Sequence, residues 1–407
     1  ANVNIPLYEL SVGSLKIPIS IGYSTNGTKT NEIPSRVGLN WSLVAGGMIS
    51  RVVHDEQDDG ASTIKLTNPD FNNYNSTLET YLAQANIENY DTESDEYSFS
   101  VNGMSGKFYF DDNGAAHVAD HNNVTITKTG NIFILTAGDG TQYKFGDGLM
   151  YEKTKDVKTA GNPRANKVKT TAWFLTKITS PDGDEINFTY SPISTKTNQG
   201  PYQSVILKKY SALPPMPEYP DCAYMCEGSW SNVAYTKIDY DSYYLSQIST
   251  SDGQQVYLVY QDRPDASGDN RLLYLNVYTT NSGSASPILR RYKFEYDDRP
   301  VGNDLNQRFF LKKVIQSSNE TTPKTLTHEF QYNDPSSLAS QESLAQDYYG
   351  YSKGSSVIFG DFFPRPINYT EYENGSMGVD RTPNFEATKA GTLKKVIYPT
   401  GGYEEFT

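Results

Sequence analysis

Leu175-Thr-Lys-Ile178-Thr-Ser-Pro181-Asp182-Gly183-Asp-Glu-Ile186-Asn-Phe188-Thr-Tyr190 is the stretch from which the fold can be read. Pro-Asp-Gly sets a tight turn, with Gly183 free to take the positive φ that closes a hairpin. After the turn, Ile186, Phe188 and Tyr190 alternate with polar residues, so three large side chains share one face of a strand. Before it, Leu175 and Ile178 sit at i, i+3 and open and close the first strand across a bend. The unit is a hairpin with one apolar face, and such a face needs a neighbour to cover it.

The unit recurs. Ile132-x-x-Leu135…Asp139-Gly140-x-x-Tyr143-x-Phe145 and Leu245-x-x-Ile248…Asp252-Gly253-x-x-Val256-x-Leu258-x-Tyr260 carry the same spacing. Leu393-x-x-Val396…Thr400-Gly401-x-x-Glu404-x-Phe406 starts another copy, which stops at Thr407 before the expected Tyr; the expectation is that the natural protein continues. Leu275-x-x-Tyr278…Phe294-x-Tyr296 and Leu311-x-x-Val314…Phe330-x-Tyr332 share the ends with longer loops. Repetition at this level reports architecture rather than chemistry.

Composition agrees. The 407 residues include 32 Tyr, 17 Phe, 31 Gly and 21 Pro, which favours strands and tight turns over helices. The predicted fold is all-β: repeated antiparallel hairpins in an extended or curved sheet, with one short helical insertion. A β region over 1–150 carries an insertion at 54–95, and a hairpin-repeat region follows over 151–407. Within the insertion, Leu78, Tyr81, Leu82 and Ala85 have helical spacing, with Ser76 as the expected N-cap and a helix over about 77–89. Leu15-Lys-Ile17-Pro-Ile19-Ser-Ile21-Gly-Tyr23 and the run from Val37 to Leu43 read as strands, with Pro18 at an edge or bulge. Tyr97–Val101 and Gly106–Phe110 flank Asn102-Gly103 as a hairpin. The Lys-rich 151–172 reads as a flexible loop, and 191–240 and 335–392 as irregular excursions, with a short helix near Leu338–Leu344.

A net charge of −13 argues against nucleic acid, whose phosphates reward clustered cations. No apolar run approaches 18 residues, so no membrane span is expected. The chain begins at Ala1, with the expectation that a leader was removed or that the chain is a fragment. Its two cysteines, Cys222 and Cys226, lie four apart in a Pro-rich setting and are candidates for a local disulfide in an oxidising compartment. A metal there would need further soft ligands, and no His lies near in sequence.

The catalytic patterns are weak. Gly350-Tyr-Ser352-Lys-Gly354 matches a nucleophile elbow, but no His follows His328. His117 and His121 have zincin spacing without the Glu. Gly22–Lys29 imitates a phosphate loop with Lys and Thr exchanged. Asp55-x-Gln57-x-Asp59-Gly60 starts like a calcium loop but has Leu66 at the twelfth position. Asp95-Glu96 and Asp184-Glu185 are adjacent pairs, which point to opposite faces of a strand. The reading is therefore no enzyme, no catalytic residue, no metal and no cofactor.

The opening, Asn4-Ile-Pro-Leu-Tyr-Glu-Leu-Ser-Val-Gly-Ser-Leu…Ile17-Pro-Ile-Ser-Ile-Gly-Tyr…Val37-Gly-Leu-Asn-Trp-Ser-Leu…Gly46-Gly-Met-Ile-Ser-Arg51, resembles the N-terminal region of bacterial Rhs/YD-repeat proteins. It is also similar to the SpvB-like start of the toxin complex B component. Asp347-Tyr-Tyr-Gly-Tyr-Ser-Lys-Gly354 and the segment from Ala390 to Tyr403 look like stretches that precede the YD array in large secreted Rhs proteins. The match covers both ends well and the middle loosely. The resemblance implies a hollow β-shell around a C-terminal effector, of which this chain is the entrance end. The family's autoproteolytic core and toxin domain, and a dense run of its repeats, are absent from this sequence. It implies secretion or display at the surface of a Gram-negative bacterium, with the rest of the same polypeptide and an outer-membrane translocon as partners. The alternative reading is a surface-exposed adhesion or carbohydrate-binding module, since exposed Tyr and Trp stack on sugars, and a third is a hydrolase with carboxylates scattered in sequence.

Overall fold

The computed structural model describes residues 1–60, 63–85, 87, 90–111, 113–119, 123–157, 167–203, 205–209, 226–230, 233–278, 288–299, 308–318, 324–341, 343–354 and 381–406. For 198–199, 205–209, 226–230 and 299 it describes the backbone alone. The chain is all-β, dominated by an 18-stranded sheet with a 3-stranded sheet packed on it.

The repeated unit folds as the predicted hairpin. Strands Val168–Thr179 and Glu185–Tyr202 pair with Ile178 opposite Ile186, and strands Ala234–Thr250 and Gln255–Asp262 pair with Ile248 opposite Val256. Their turns are alike. The N–H of Gly183 donates to Ser180 O at 3.1 Å, that of Gly253 to Thr250 O at 3.0 Å, that of Gly140 to Ala137 O at 2.9 Å and that of Gly401 to Tyr398 O at 2.9 Å. These glycines have φ between +84° and +95°, which an L side chain resists.

The i, i+3 spacing of the unit comes from a β-bulge. Successive units pair through ladders in which one residue is left over: Thr176 where Phe145 faces Leu175, Ser246 where Tyr190 faces Leu245, and Leu273 where Tyr260 faces Leu272. Lys312 is left over where Tyr296 faces Leu311, and Lys394 where Tyr332 faces Leu393. A regular strand repeats its facing every two residues; the extra residue stretches this to three. Both Leu175 and Ile178 are therefore buried, as are Leu311 and Val314, and Leu393 and Val396. The unit assigned to Leu275-x-x-Tyr278 is corrected by the same rule. Leu275 faces Tyr292, so the frame is Leu272-x-x-Leu275, three residues earlier.

One more bulge bends the N-terminal hairpin of Asn2–Val12 and Leu15–Ser24, where the register shifts between Pro6 and Tyr8. It moves the inward set from Val3, Ile5 and Leu7 to Leu10 and Val12. With Trp41–Val44 this hairpin forms the smaller sheet, which lies on the apolar face of the hairpin strip. Gln254 Nε2 meets Ser11 O at 2.8 Å, and the Tyr292 hydroxyl meets Leu7 O. The N–H of Leu393 meets the Tyr23 hydroxyl at 2.8 Å. The hairpin thus crosses several units. Pro18 sits where its strand has one neighbour, as its missing N–H requires.

At the other end of the strip the sheet curls into a barrel. Gly47–Val52, Glu96–Val101, Met104–Phe110 and Ala116–Val118 run on from one side of Val168–Thr179. Gln142–Phe145, Ile132–Ala137 and Val124–Thr129 run on from the other, and Ala116–Val118 lies beside Val124–Thr129. The interior is aromatic: Trp173 contacts Phe133 at 4.8 Å between ring centroids, and Tyr97 stacks on Phe108 at 5.2 Å. The hairpin over Asn102-Gly103 forms as expected.

Five local expectations differ. The insertion helix is Ser76–Gln84, and its N-cap is Asn75, whose Oδ1 accepts the N–H of Thr77 and of Leu78; Ser76 is already helical. The Lys-rich stretch is not a loop where it is described: Tyr151–Val157 and the start of Val168–Thr179 form ladders. Part of the 191–240 excursion continues the hairpin as an arm, with Ser194 facing Asp241 on one side and Lys153 facing Asp241 on the other. Leu338–Leu344 is not helical where it is described; a short 3-10 turn occupies Pro335–Ser337 and a helical turn Phe385–Thr388. The run from Val37 to Asn40 is a turn rather than a strand, because Gly38 and Asn40 have φ of +115° and +63°.

Candidate functional site

The strip's buried face is built from its tyrosines. The Tyr190 hydroxyl donates to Leu175 O at 2.7 Å, Tyr260 to Leu245 O at 2.7 Å, Tyr296 to Leu272 O at 2.6 Å and Tyr332 to Leu311 O at 2.7 Å. Each bond spans a hairpin from its last aromatic to its first leucine. A bulge leaves a carbonyl poorly served by the ladder, and the phenol supplies the missing donor. Burial pushes all four hydroxyls well above the ordinary tyrosine range. Trp41 completes the set. It is 2% exposed, packs edge-on against Phe330 at 4.6 Å and Tyr23 at 5.2 Å, and its Nε1 donates to the Tyr332 hydroxyl at 2.8 Å.

The second feature is the barrel end, closed by the 54–60 segment. Arg51 is buried, and each of its guanidinium nitrogens has an acceptor. Nε and Nη2 donate to Thr170 O at 2.8 and 2.6 Å, and Nη2 also reaches Gln57 Oε1 at 2.5 Å. Nη1 donates to Asp59 Oδ1 at 2.7 Å, the Tyr97 hydroxyl at 3.2 Å and Asp95 Oδ2 at 3.3 Å. Lys128 Nζ binds Asp59 Oδ2 at 2.6 Å. Burial raises the Asp59 carboxyl, but Arg51 and Lys128 overcome it and hold it down to about 2. Burial pushes Asp95 up to about 6 despite Arg51, and burial with the neighbouring Asp58 raises Asp91 well above the carboxylate range. Sequence reading passed over Arg51, yet the parity of Ile49-Ser-Arg51 points it inward with Ile49.

The patterns singled out in the sequence have structural places. Asp55-x-Gln57-x-Asp59 sends Gln57 and Asp59 to Arg51, and the Thr92 hydroxyl donates to Asp55. Ser352 is buried, and its hydroxyl accepts the N–H of Ala339 at 3.2 Å and of Gly354 at 3.3 Å, which fixes a loop. Asp347 Oδ1 closes the same loop by accepting the N–H of Tyr349 and Tyr351 at 2.8 and 2.9 Å. His117 contacts Asp111 at 2.9 Å, and His121 lies outside the described residues. Asp95 points into the barrel end while Glu96 points outward to Lys107 at 2.8 Å, the opposed facing expected of neighbours on a strand. Cys222 also lies outside the described residues, and Cys226 is described only in its backbone, so their pairing falls outside the structure. Among the described residues no group of three or more His, Cys, Asp or Glu is arranged to hold a metal ion, and no helix is long and apolar enough to cross a membrane.

No protein-family model matches the chain, and no curated protein matches it. Among solved structures, the chain is similar to a crystal structure of TcdB2-TccC3-Cdc42, with 11% identity and a TM-score of 0.39 over 83% of this chain and 16% of that one. It is also similar to the Photorhabdus luminescens Tc holotoxin pore carrying a mutated TccC3, with 10% identity and a TM-score of 0.40 over 82% of this chain and 16% of that one. A TcdB2-TccC3-TEV structure gives 10% identity and a TM-score of 0.38, again over 16% of its length. The chain thus spans about a sixth of the structures it matches.

Proposed function

We propose that the chain is a non-catalytic building segment of a β-shell in a large secreted Rhs-like protein, a shell that encloses or presents a C-terminal effector domain. The observation that carries this reading is a single hairpin design used over and over. The four copies that begin at Leu175, Leu245, Leu272 and Leu311 each have a bulge where they meet the unit before and a tyrosine bond across their own strands. A strip made this way lengthens by adding hairpins, because each new strand finds a ladder partner already in place. A bulge at every junction adds twist and bend in a constant sense, which is what a sheet needs to wind around a space. The N-terminal hairpin braces the strip across several units, and the barrel closes one end of it.

On this reading the partners are the remainder of the same polypeptide, which continues the ladder, and a translocon at the outer membrane of a Gram-negative cell. Secretion or surface display follows from the same proposal. Trp41 and Trp173 are 2% and 0% exposed, so neither is placed to stack on a sugar.

Electron microscopy of the full gene product tests the reading. The expected result is a closed particle with an internal void, and protease protection of a C-terminal segment that is lost on denaturation. A solid compact particle, or a C-terminus cleaved at once in the native protein, would overturn it.

A further inference from the structure

We propose that Arg308 forms the charged wall of a buried site for a small monovalent anion of chloride size, between the strand Arg308–Ser317 and the segment 28–30. Arg308 is 0% exposed, and one of its nitrogens, Nη2, donates to Thr30 O. Its Nε and Nη1 have no acceptor among the described residues. The segment it touches contributes two more unmatched groups: the hydroxyls of Thr28 and Thr30, both residues 0% exposed, also lack partners. The backbone there is already committed. Thr28 N–H donates to Thr388 O at 3.3 Å, Thr30 N–H to Gly350 O at 3.1 Å, and Ser352 N–H to Thr28 O at 3.0 Å.

The nearby carboxylates are engaged elsewhere. Asp265 takes Arg263 at both oxygens, at 2.8 and 2.6 Å. Asp269 takes Arg36 at 3.0 Å and Arg263 at 2.9 Å. Glu32 accepts the N–H of Lys29 at 3.4 Å and reaches Arg308 through space alone. The contrast with the other buried guanidiniums, Arg51 and Arg263, is direct, since each of them has an acceptor at every nitrogen.

The chemistry selects the ligand. A guanidinium N–H can only donate, so the group that satisfies Nε and Nη1 must accept, and a threonine hydroxyl of the adjoining segment can donate to the same group. Burial pushes Arg308 down to about 10, which leaves it charged at neutral pH. A water would fill the hydrogen bonds without balancing that charge; a halide does both. Arg308, Thr28 and Thr30 are all fully buried, which favours a small ion over a large oxyanion.

Crystals of the wild-type protein grown in bromide give the direct test. The expected result is an anomalous peak in hydrogen-bond reach of Arg308 Nε or Nη1. In solution, replacing gluconate by chloride at constant ionic strength should raise the melting temperature to a plateau, and Arg308→Met should remove that rise. Ordered water or no density at the guanidinium, or melting that ignores chloride, overturns the proposal. Should Arg308→Met fail to fold, the wild-type bromide map decides alone.

Discussion

Trp41 Nε1 donates to the Tyr332 hydroxyl at 2.8 Å, and that hydroxyl donates in turn to Leu311 O at 2.7 Å. The relay ties the smaller sheet to the hairpin strip across 291 residues of sequence. Trp41→Ala removes a buried aromatic and leaves the phenol with one partner fewer, so it should cost about 3–5 kcal/mol. Trp41→Phe keeps the packing against Phe330 and Tyr23 but drops the relay, and should cost about 1 kcal/mol. Chemical denaturation measures both, and acrylamide should quench Trp41 fluorescence poorly.

The tyrosine bonds make an alkaline prediction. A buried phenol with a raised pKa stays protonated in the folded protein while the unfolded chain ionises near pH 10. Stability is then fully present below about pH 10 and is lost as pH rises beyond it. Ultraviolet titration should find Tyr190, Tyr260, Tyr296 and Tyr332 silent until the fold opens, with ionisation and unfolding coincident. Single Tyr→Phe changes at these positions should each cost about 1 kcal/mol at neutral pH and shift the alkaline midpoint upward. Early, reversible ionisation of these four would contradict the bonds.

Much of this was legible in the residues. Asp-Gly turns and the alternation of Ile186, Phe188 and Tyr190 depend on a few neighbours, and local chemistry decides them. The spacing of Leu175 and Ile178 was visible, but its cause was not: a bulge is a relation between two strands, and Thr176, Ser246, Leu273, Lys312 and Lys394 share no residue type. For that reason the copy at Leu272 was framed three residues late. Arg51 could be placed by parity, whereas its acceptors Thr170, Asp59 and Asp95 come from three separate segments. Arg308 had no sequence signal, because its burial depends on Thr28–Thr30 arriving from the other end of the chain. The arm at 191–202 was hidden by its polar residues, which suit a solvent-facing strand as well as a loop.

The barrel end should respond to pH on both sides of an optimum. Asp59, held down to about 2, contributes stability that is present above about pH 4, near its unfolded pKa, and lost as pH falls toward 2. Asp95, pushed up to about 6, works in the opposite direction: the fold prefers its protonated form, so stability declines as pH rises from about 4 to 6. Asp91, raised as well, adds to that decline. Asp59→Asn should therefore flatten the acid limb of a melting-temperature profile, and Asp91→Asn should flatten the limb above it. Arg51→Met leaves Asp95 without its cation and Asp59 with Lys128 alone, and should cost about 3–5 kcal/mol at neutral pH.

Deletions separate the bulge from the ladder. Ser246 is the extra residue opposite the step from Thr189 to Tyr190, and its hydroxyl donates to Thr189 O at 3.0 Å. Removing Ser246 brings Leu245 and Ile248 from three residues apart to two, which in a regular strand still places both on the same face. That deletion should straighten the strip locally and cost a modest 1–2 kcal/mol, within the usual range for single changes. Removing Thr189 is different, although it is one residue from the same ladder. It makes Phe188 and Tyr190 neighbours, so one of the two must leave the buried face and the Tyr190 bond to Leu175 O breaks. The expected cost is about 3–5 kcal/mol or more, the scale of losing a buried aromatic. Thermal melts of the two deletion variants, with near-ultraviolet dichroism as a check on aromatic packing, distinguish them. Equal loss in both would mean that the i, i+3 spacing does not arise from the bulge.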